Sequence, residues 1–180
     1  MPAQLQVHIV PLGWEHDRIV LPFTSSGKNW RTLLAHRVHL VVPNPKGAQD
    51  FDKKAEKALK DAGIEVEVHV VDKERDGEIV QMEEVMRMTA ELCRREAHVG
   101  KHQVSINLSA ASKLDAFAAG LGGMAYQQTG LVRFYYVHPI GYSDEQESEK
   151  KRARSMRAHG MSVGVKAIQW IDPMPLNQPP

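Results

Sequence analysis

Short apolar runs rich in β-branched residues recur along this chain, and stretches patterned for helix lie between them. That alternation constrains the fold more than any other feature. Residues 6–11 (QVHIVP) form a buried strand ended by Pro11 and Gly13. A polar segment, GWEHDR, follows, and then a short apolar stretch from Ile19 to Phe23. Residues 37–42 (RVHLVV) make a second strand, stopped by Pro43 and Pro45. Asp50 is positioned to cap a helix running to about Ala62, with Ala55, Ala58 and Leu59 on one face and Gly63 closing it. Residues 64–71 alternate at period two, a third strand whose partly polar side suits a sheet edge. The longest helix spans 78–97, where Val85, Met88 and Leu92 with Met82, Met86 and Cys93 recur at spacings of three and four, and Gly100 ends it. Residues 104–108 are a fourth strand that runs into a small-residue helix, 111–127. Residues 131–137 and 161–171 complete a set of six strands. Between the last two, Ser143 and Gln146 have capping-box spacing ahead of a charged run that suits a solvated helix or loop.

Strand, helix, strand in repetition means parallel pairing with right-handed crossovers. The expected fold is therefore α/β, a Rossmann-like doubly wound, mainly parallel sheet of about six strands. Residues 1–171 form that domain. Residues 172–180, with four of the ten prolines, read as a tail or linker. Lys and Arg number 23 against 22 for Asp and Glu, which excludes a globally basic nucleic-acid coat. The single Cys93 excludes an intramolecular disulfide framework and fits a reducing cytosol. No stretch reaches the roughly 20 apolar residues of a membrane span, and no basic region precedes the first apolar run. These features point to a cytoplasmic protein with no membrane partner.

In doubly wound sheets, ligands bind outside the carboxyl ends of the strands. Two loops lie there: 13–18 after the first strand and 107–113 after the fourth. Familiar nucleotide fingerprints fail. Ser25-Ser26-Gly27-Lys28 resembles the end of a P-loop, but Asn29 follows the lysine and Pro22 stands where the first glycine belongs. Gly120, Gly122 and Gly123 lie inside a helix and suit close packing. Nine histidines raise the question of a metal, yet His36, His39, His98 and His102 lack a partnering cysteine pair or an HExxH context, so packing or surface roles are expected and no metal or other cofactor is assigned. Cys93 belongs to an apolar stripe. The sequence N-L-S-A-A-S-K, Asn107 to Lys113, differs from all of these. It places hydroxyls, an amide and a cation where a strand hands over to a helix N-terminus, a setting that attracts phosphate. Two readings stand: an anion anchor, or a helix capped by Ser109 with a solvated Lys113.

The pattern Asn107-x-Ser109-x-x-x-Lys113 resembles the signature of CARF domains (CRISPR-associated Rossmann fold), and the order of elements is similar to that family over nearly the whole chain. The opening V-H-I-V-P-L-G-W-E-H-D-R resembles a subgroup of archaeal CARF transcription regulators, in which a winged helix follows the sensor. The resemblance implies binding of a cyclic oligoadenylate, foremost cyclic tetra-adenylate, across the two-fold axis of a homodimer, as the sensor of a type III CRISPR antiviral regulator. DNA would be a partner only through a winged helix beyond the Pro-rich tail. The implied ligand residues are Gly13, Trp14, Glu15, His16 and Asp17 from the first loop, and Asn107, Ser109, Ala110, Ser112 and Lys113 from the second. Trp14 is either a stacking surface for adenine or a core residue. Glu15 or Asp17 would read base or sugar, with Arg18 available to neutralise one of them. The small-residue face of 111–125 would allow a close dimer contact or packing on its own sheet. Two alternatives remain: a metal-independent ring nuclease with His16 as base and Lys113 as cation, and a mononucleotide-binding domain. No residue set demands catalysis, so sensing is expected over turnover.

Overall fold

The computed structural model describes residues 4–13, 15–42, 45–71, 78–142 and 162–171. Trp14, the charged run around Ser143–Gln146 and the Pro-rich tail lie outside the described residues. In chain order the elements are β1 (Gln6–Pro11), α1 (His16–Thr24), β2 (Arg37–Val42), α2 (Pro45–Asp61), β3 (Glu65–Val70), α3 (Glu78–Cys93), β4 (Gln103–Asn107), α4 (Lys113–Met124), β5 (Val132–His138), β6 (Gly141–Tyr142), β7 (Ser162–Val163) and β8 (Ala167–Ile171). A π-helical turn, Arg94–Val99, extends α3, and a 3-10 turn, Gln127–Thr129, follows α4. Six strands form one sheet in the order β3-β2-β1-β4-β5-β8. The first five are parallel, and β8 runs antiparallel to β5. This is the expected doubly wound α/β sheet.

The strand parity explains why two layers of helix are needed. Val7 and Ile9 of β1 join one cluster with Val85 and Leu92 of α3 and Ala118 and Ala119 of α4. Val10 joins the opposite cluster with Ile19 and Phe23 of α1 and Ala55 and Leu59 of α2. Both faces of β1 are therefore dry, as the unbroken apolar run QVHIVP requires. At the edge, β3 is only partly covered on both faces: Val66 to His69 are half-buried, and Glu65 and Val70 are exposed.

Four sequence expectations change. The polar segment and the apolar stretch after β1 are one helix, because α1 begins at His16 and buries Ile19, Val20 and Phe23. Helix α2 begins at Pro45, not at an Asp50 cap, since proline suits a first helical position whose N–H has no intrahelical partner. Helix α4 begins at Lys113 and ends at Met124, capped by Ser112 rather than Ser109. The last strand divides into β7 and β8 because Gly164 turns the chain at φ +63°. The glycines of α4 act as expected. A Cβ on Gly122 would lie 2.4 Å from the Met86 carbonyl oxygen, and one on Gly123 would lie 2.2 Å from Ile106 Cδ1. The small-residue face therefore packs on α3 and the chain's own sheet.

Candidate functional site

Strand order reverses between β1 and β4, the switch point of the sheet. The loops after these two strands touch backbone to backbone. A Cβ on Gly13 would meet the Ala110 carbonyl oxygen at 2.2 Å and Ala111 Cα at 2.9 Å. Only glycine lets the loops approach this closely. The structure thus brings together the two segments that the sequence singled out.

The β4–α4 turn is held by buried polar groups, two of them neutral and one a guanidinium. Asn107 is fully buried, and its Oδ1 accepts from Ser109 N–H at 2.8 Å and from Ser109 Oγ at 2.6 Å. Asn107 Nδ2 donates to the Arg18 carbonyl at 3.1 Å. Ser109 Oγ in turn accepts from Val137 N–H at 3.1 Å, tying the turn to β5. Arg18, buried in the first turn of α1, donates from Nη1 to the Ser109 carbonyl at 2.9 Å. Asn107, Ser109 and Arg18 therefore position the turn by bonding one another. The bridging role of Arg18 was not evident from sequence, since it depends on a contact across 91 positions.

Beyond this locked frame, the solvent side carries the chemistry. Ser112 and Lys113 are exposed at the head of α4. Ser112 Oγ accepts from Asp115 N–H at 3.2 Å and donates to Asp115 Oδ2 at 2.7 Å. Asp115 is buried and also receives Gln81 Nε2 at 3.1 Å. Among the described residues, Lys113 has no ion-pair partner. Across the crevice, Glu15 Oε2 lies 3.8 Å from Arg18 Nε, so the arginine faces the acidic loop as the sequence suggested. His16 is 38% exposed, with Nδ1 3.7 Å from Asp17 Oδ1. Asp17 Oδ2 accepts from Gly164 N–H at 2.7 Å, which ties α1 to the β7–β8 turn. Ala110 is buried against Gly13 and offers backbone only. At the switch-point crevice that such a sheet topology implies, the β4–α4 turn contributes a cation and a helix N-terminus, and the β1–α1 segment an imidazole and carboxylates.

Helix α4 carries a feature that its small residues concealed in the sequence. Leu114, Phe117, Leu121 and Met124, spaced three or four apart, are 46, 58, 38 and 57% exposed. They form an apolar stripe that begins one residue from Lys113. Elsewhere, Cys93 is buried and its thiol is pushed up to about 12 by burial, so it is a core residue. His36 and His102 accept backbone amides of Gln6 and Leu5, and His98 lies against Tyr126, in keeping with packing roles. His39 is different: it sits in a cluster of charged groups beside β2 and β3, away from the crevice. Among the described residues, no helix is long and apolar enough to cross a membrane.

A family model described as HFX_2341_N-like, N-terminal, matches residues 6–142. Solved structures share the fold at low identity. Protein VC1899 from Vibrio cholerae aligns with a TM-score of 0.54 and 13% identity, over 74% of this chain and 31% of that one. Csm6 from Enterococcus italicus, bound to cyclic hexa-2'-fluoro-hexa-dAMP, aligns with a TM-score of 0.52 and 12% identity, over 89% of this chain and 43% of that one. The chain spans less than half the length of either structure. No curated protein matches the sequence.

Proposed function

The chain belongs to the HFX_2341_N-like, N-terminal family, and from that premise we propose that it binds a cyclic oligoadenylate as a homodimeric sensor domain. The observation that carries the reading is the crevice at the β1–β4 switch point. There the Gly13 and Ala110 backbones are in contact, and Lys113 stands exposed on the first turn of α4. An oligoadenylate presents phosphates to that cation and helix end, and amino and hydroxyl donors to the acidic loop. The shared fold with a Csm6 structure that holds a cyclic oligonucleotide supports the ligand class. The CARF-like motif from Asn107 to Lys113 supports it as well.

The exposed stripe on α4 favours a dimer. Four large apolar side chains next to the ligand loops suit an isologous contact, which presents Lys113 twice to a ring on the two-fold axis. A ring of four adenylates matches that symmetry, and cyclic tetra-adenylate is the ligand we favour. Output would be regulatory, in the cytoplasm, through a DNA-binding winged helix joined after the Pro-rich segment. A second reading, the metal-independent ring nuclease, rests on the half-exposed His16 beside the crevice.

Calorimetry with linear and cyclic oligoadenylates of several lengths tests the proposal, with light scattering on the same samples. The expected result is a preference for a cyclic ligand, saturating at one per two chains. Phe117→Glu should leave a folded monomer with weakened binding. Saturation at one ligand per chain by a monomer would overturn the shared site. Single-turnover cleavage without metal, lost in His16→Ala, would favour the nuclease.

A further inference from the structure

We propose that His39, His69 and Glu67 form a binding site for one divalent first-row transition ion, with zinc as the reference ion, on the α3-facing side of β2 and β3. The register puts the three together. His39 pairs with Glu67 across the two strands, and His69 follows Glu67 by two residues, so all three side chains share a face. The donor atoms make a small triangle. His39 Nδ1 lies 3.2 Å from His69 Nε2 and 3.6 Å from Glu67 Oε2, and the last two atoms are 3.6 Å apart. The centre of such a triangle is about 2.0 Å from each corner, the bond length zinc makes to imidazole nitrogen and carboxylate oxygen. Three protein ligands of this composition leave a fourth position for water.

The other nitrogen of His39 supplies an independent argument. Its Nε2 lies 3.2 Å from Oε1 of the buried Glu96, contributed by the π-helical turn after α3. A proton on Nε2 donated to that carboxylate leaves Nδ1 as a bare lone pair aimed into the triangle. Carboxylate, imidazole and metal in series is the arrangement that orients most metal-bound histidines. Such a site would join the edge strand β3 to β2 and, through Glu96, to the end of α3.

Arg95 is the resident competitor. Its Nη2 donates to Glu67 Oε2 at 2.8 Å and lies 3.2 Å from Nε2 and 3.4 Å from Nδ1 of His39, while its Nε donates to Glu96 Oε1 at 2.9 Å, so it holds the Glu67 carboxylate that the ion would need. The side chain is 43% exposed and reaches in from the surface, so it can withdraw. The site is then occupied either by the Arg95 guanidinium or by a metal ion. This metal site shares no residue with the proposed ligand site.

The test is a calorimetric titration of the chelator-treated full chain with zinc chloride alone, repeated with cobalt(II) and a visible spectrum. The expected result is one ion per chain, with the intense d–d absorption of four-coordinate cobalt. His69→Gln and Glu67→Gln should each lower affinity at least tenfold, whereas Arg95→Gln should raise it severalfold. Glu67→Gln is isosteric and one-third exposed, so it keeps the test decisive if His69→Gln does not fold. Unchanged affinity in both ligand variants would assign any zinc to surface histidines and overturn the site. Absence of binding in both the unaltered chain and Arg95→Gln would overturn it equally.

Discussion

At the carboxyl end of β4, Asn107 and Ser109 are buried and uncharged, and their hydrogen bonds shape a turn whose cation, Lys113, stands in solvent. Beside β2 and β3 the pattern is reversed. Arg37 reaches Glu65 at 3.0 Å and Glu96 at 3.2 Å, while Arg95 reaches Glu67 at 2.8 Å and Glu96 at 2.9 Å. In the first region a buried polar frame, with Arg18 already bonded to the Ser109 carbonyl, leaves the Lys113 side chain in solvent. In the second the charges are committed to one another, and a newcomer must displace Arg95.

The largest expected effect breaks the network. Glu96 is 2% exposed. Burial alone would raise its carboxyl, but His39, Arg37 and Arg95 hold it below the usual carboxylate range. Glu96→Ala strips a buried partner from Arg37 and His39 and should cost about 3–5 kcal/mol of stability by denaturant unfolding. Nucleotide affinity of the folded fraction should stay the same. A loss below about 1 kcal/mol would mean that solvent already screens the network.

Acid sharpens the contrast by forcing a charge onto the neutral side. His8 of β1 pairs with Ser105, so its side chain shares the face of Asn107. It lies edge-on to Phe23 and Tyr135, with Nε2 3.1 Å from the Leu34 carbonyl. Burial pushes its pKa down to about 4 from an ordinary 6.5. The folded value is the lower one, so between those limits the unfolded chain takes up a proton that the folded chain refuses. Stability therefore falls as pH falls from about 6.5 towards 4, and this group should account for about 3 kcal/mol by pH 4. A His8→Phe variant should unfold with a shallower pH dependence over that window. An unchanged slope would show that other groups control it.

How much of this was legible in the sequence follows from locality. The bounds of β1 and β2 could be read directly because QVHIVP and RVHLVV are contiguous and stopped by nearby Pro or Gly. The turn from Asn107 to Lys113 could be read for the same reason. The network could not, since His39 and His69 are 30 positions apart and only the parallel register brings them together. Arg18 was visible only as a neighbour of Glu15, while its contact with Ser109 needs the fold. The stripe from Leu114 to Met124 had readable spacing, yet alanines and glycines suggested the opposite face as the contact surface. Those small residues instead let α4 sit close to Met86 and Ile106.

Lys113 gives the complementary experiment to Glu96. With phosphate as its partner, Lys113→Ala should weaken cyclic oligoadenylate binding by about 1.5–3 kcal/mol, the range for hydrogen bonds to charged groups. Melting of the free protein should barely move, since the side chain is exposed. Unchanged affinity in calorimetry would make Lys113 a solvated surface residue.

The smallest effect lies one residue earlier, where stability and binding meet. Ser112 caps α4 with φ −57° and ψ 159°, and its hydroxyl accepts the Asp115 amide while donating to the Asp115 carboxylate. Ser112→Ala removes both bonds, but Asp115 keeps Gln81 at 3.1 Å and stays near the positive end of the helix. The cost should therefore be near the ordinary value for a lost cap, about 1 kcal/mol, or a fall in Tm of roughly 2–4 °C. Lys113 is the next residue, so fraying of that first turn should weaken ligand binding by less than Lys113→Ala does. Melting curves and calorimetry on the same variant separate the two contributions. A binding loss as large as that of Lys113→Ala, with Tm unmoved, would mean that the Ser112 hydroxyl meets the ligand directly and that the cap is secondary.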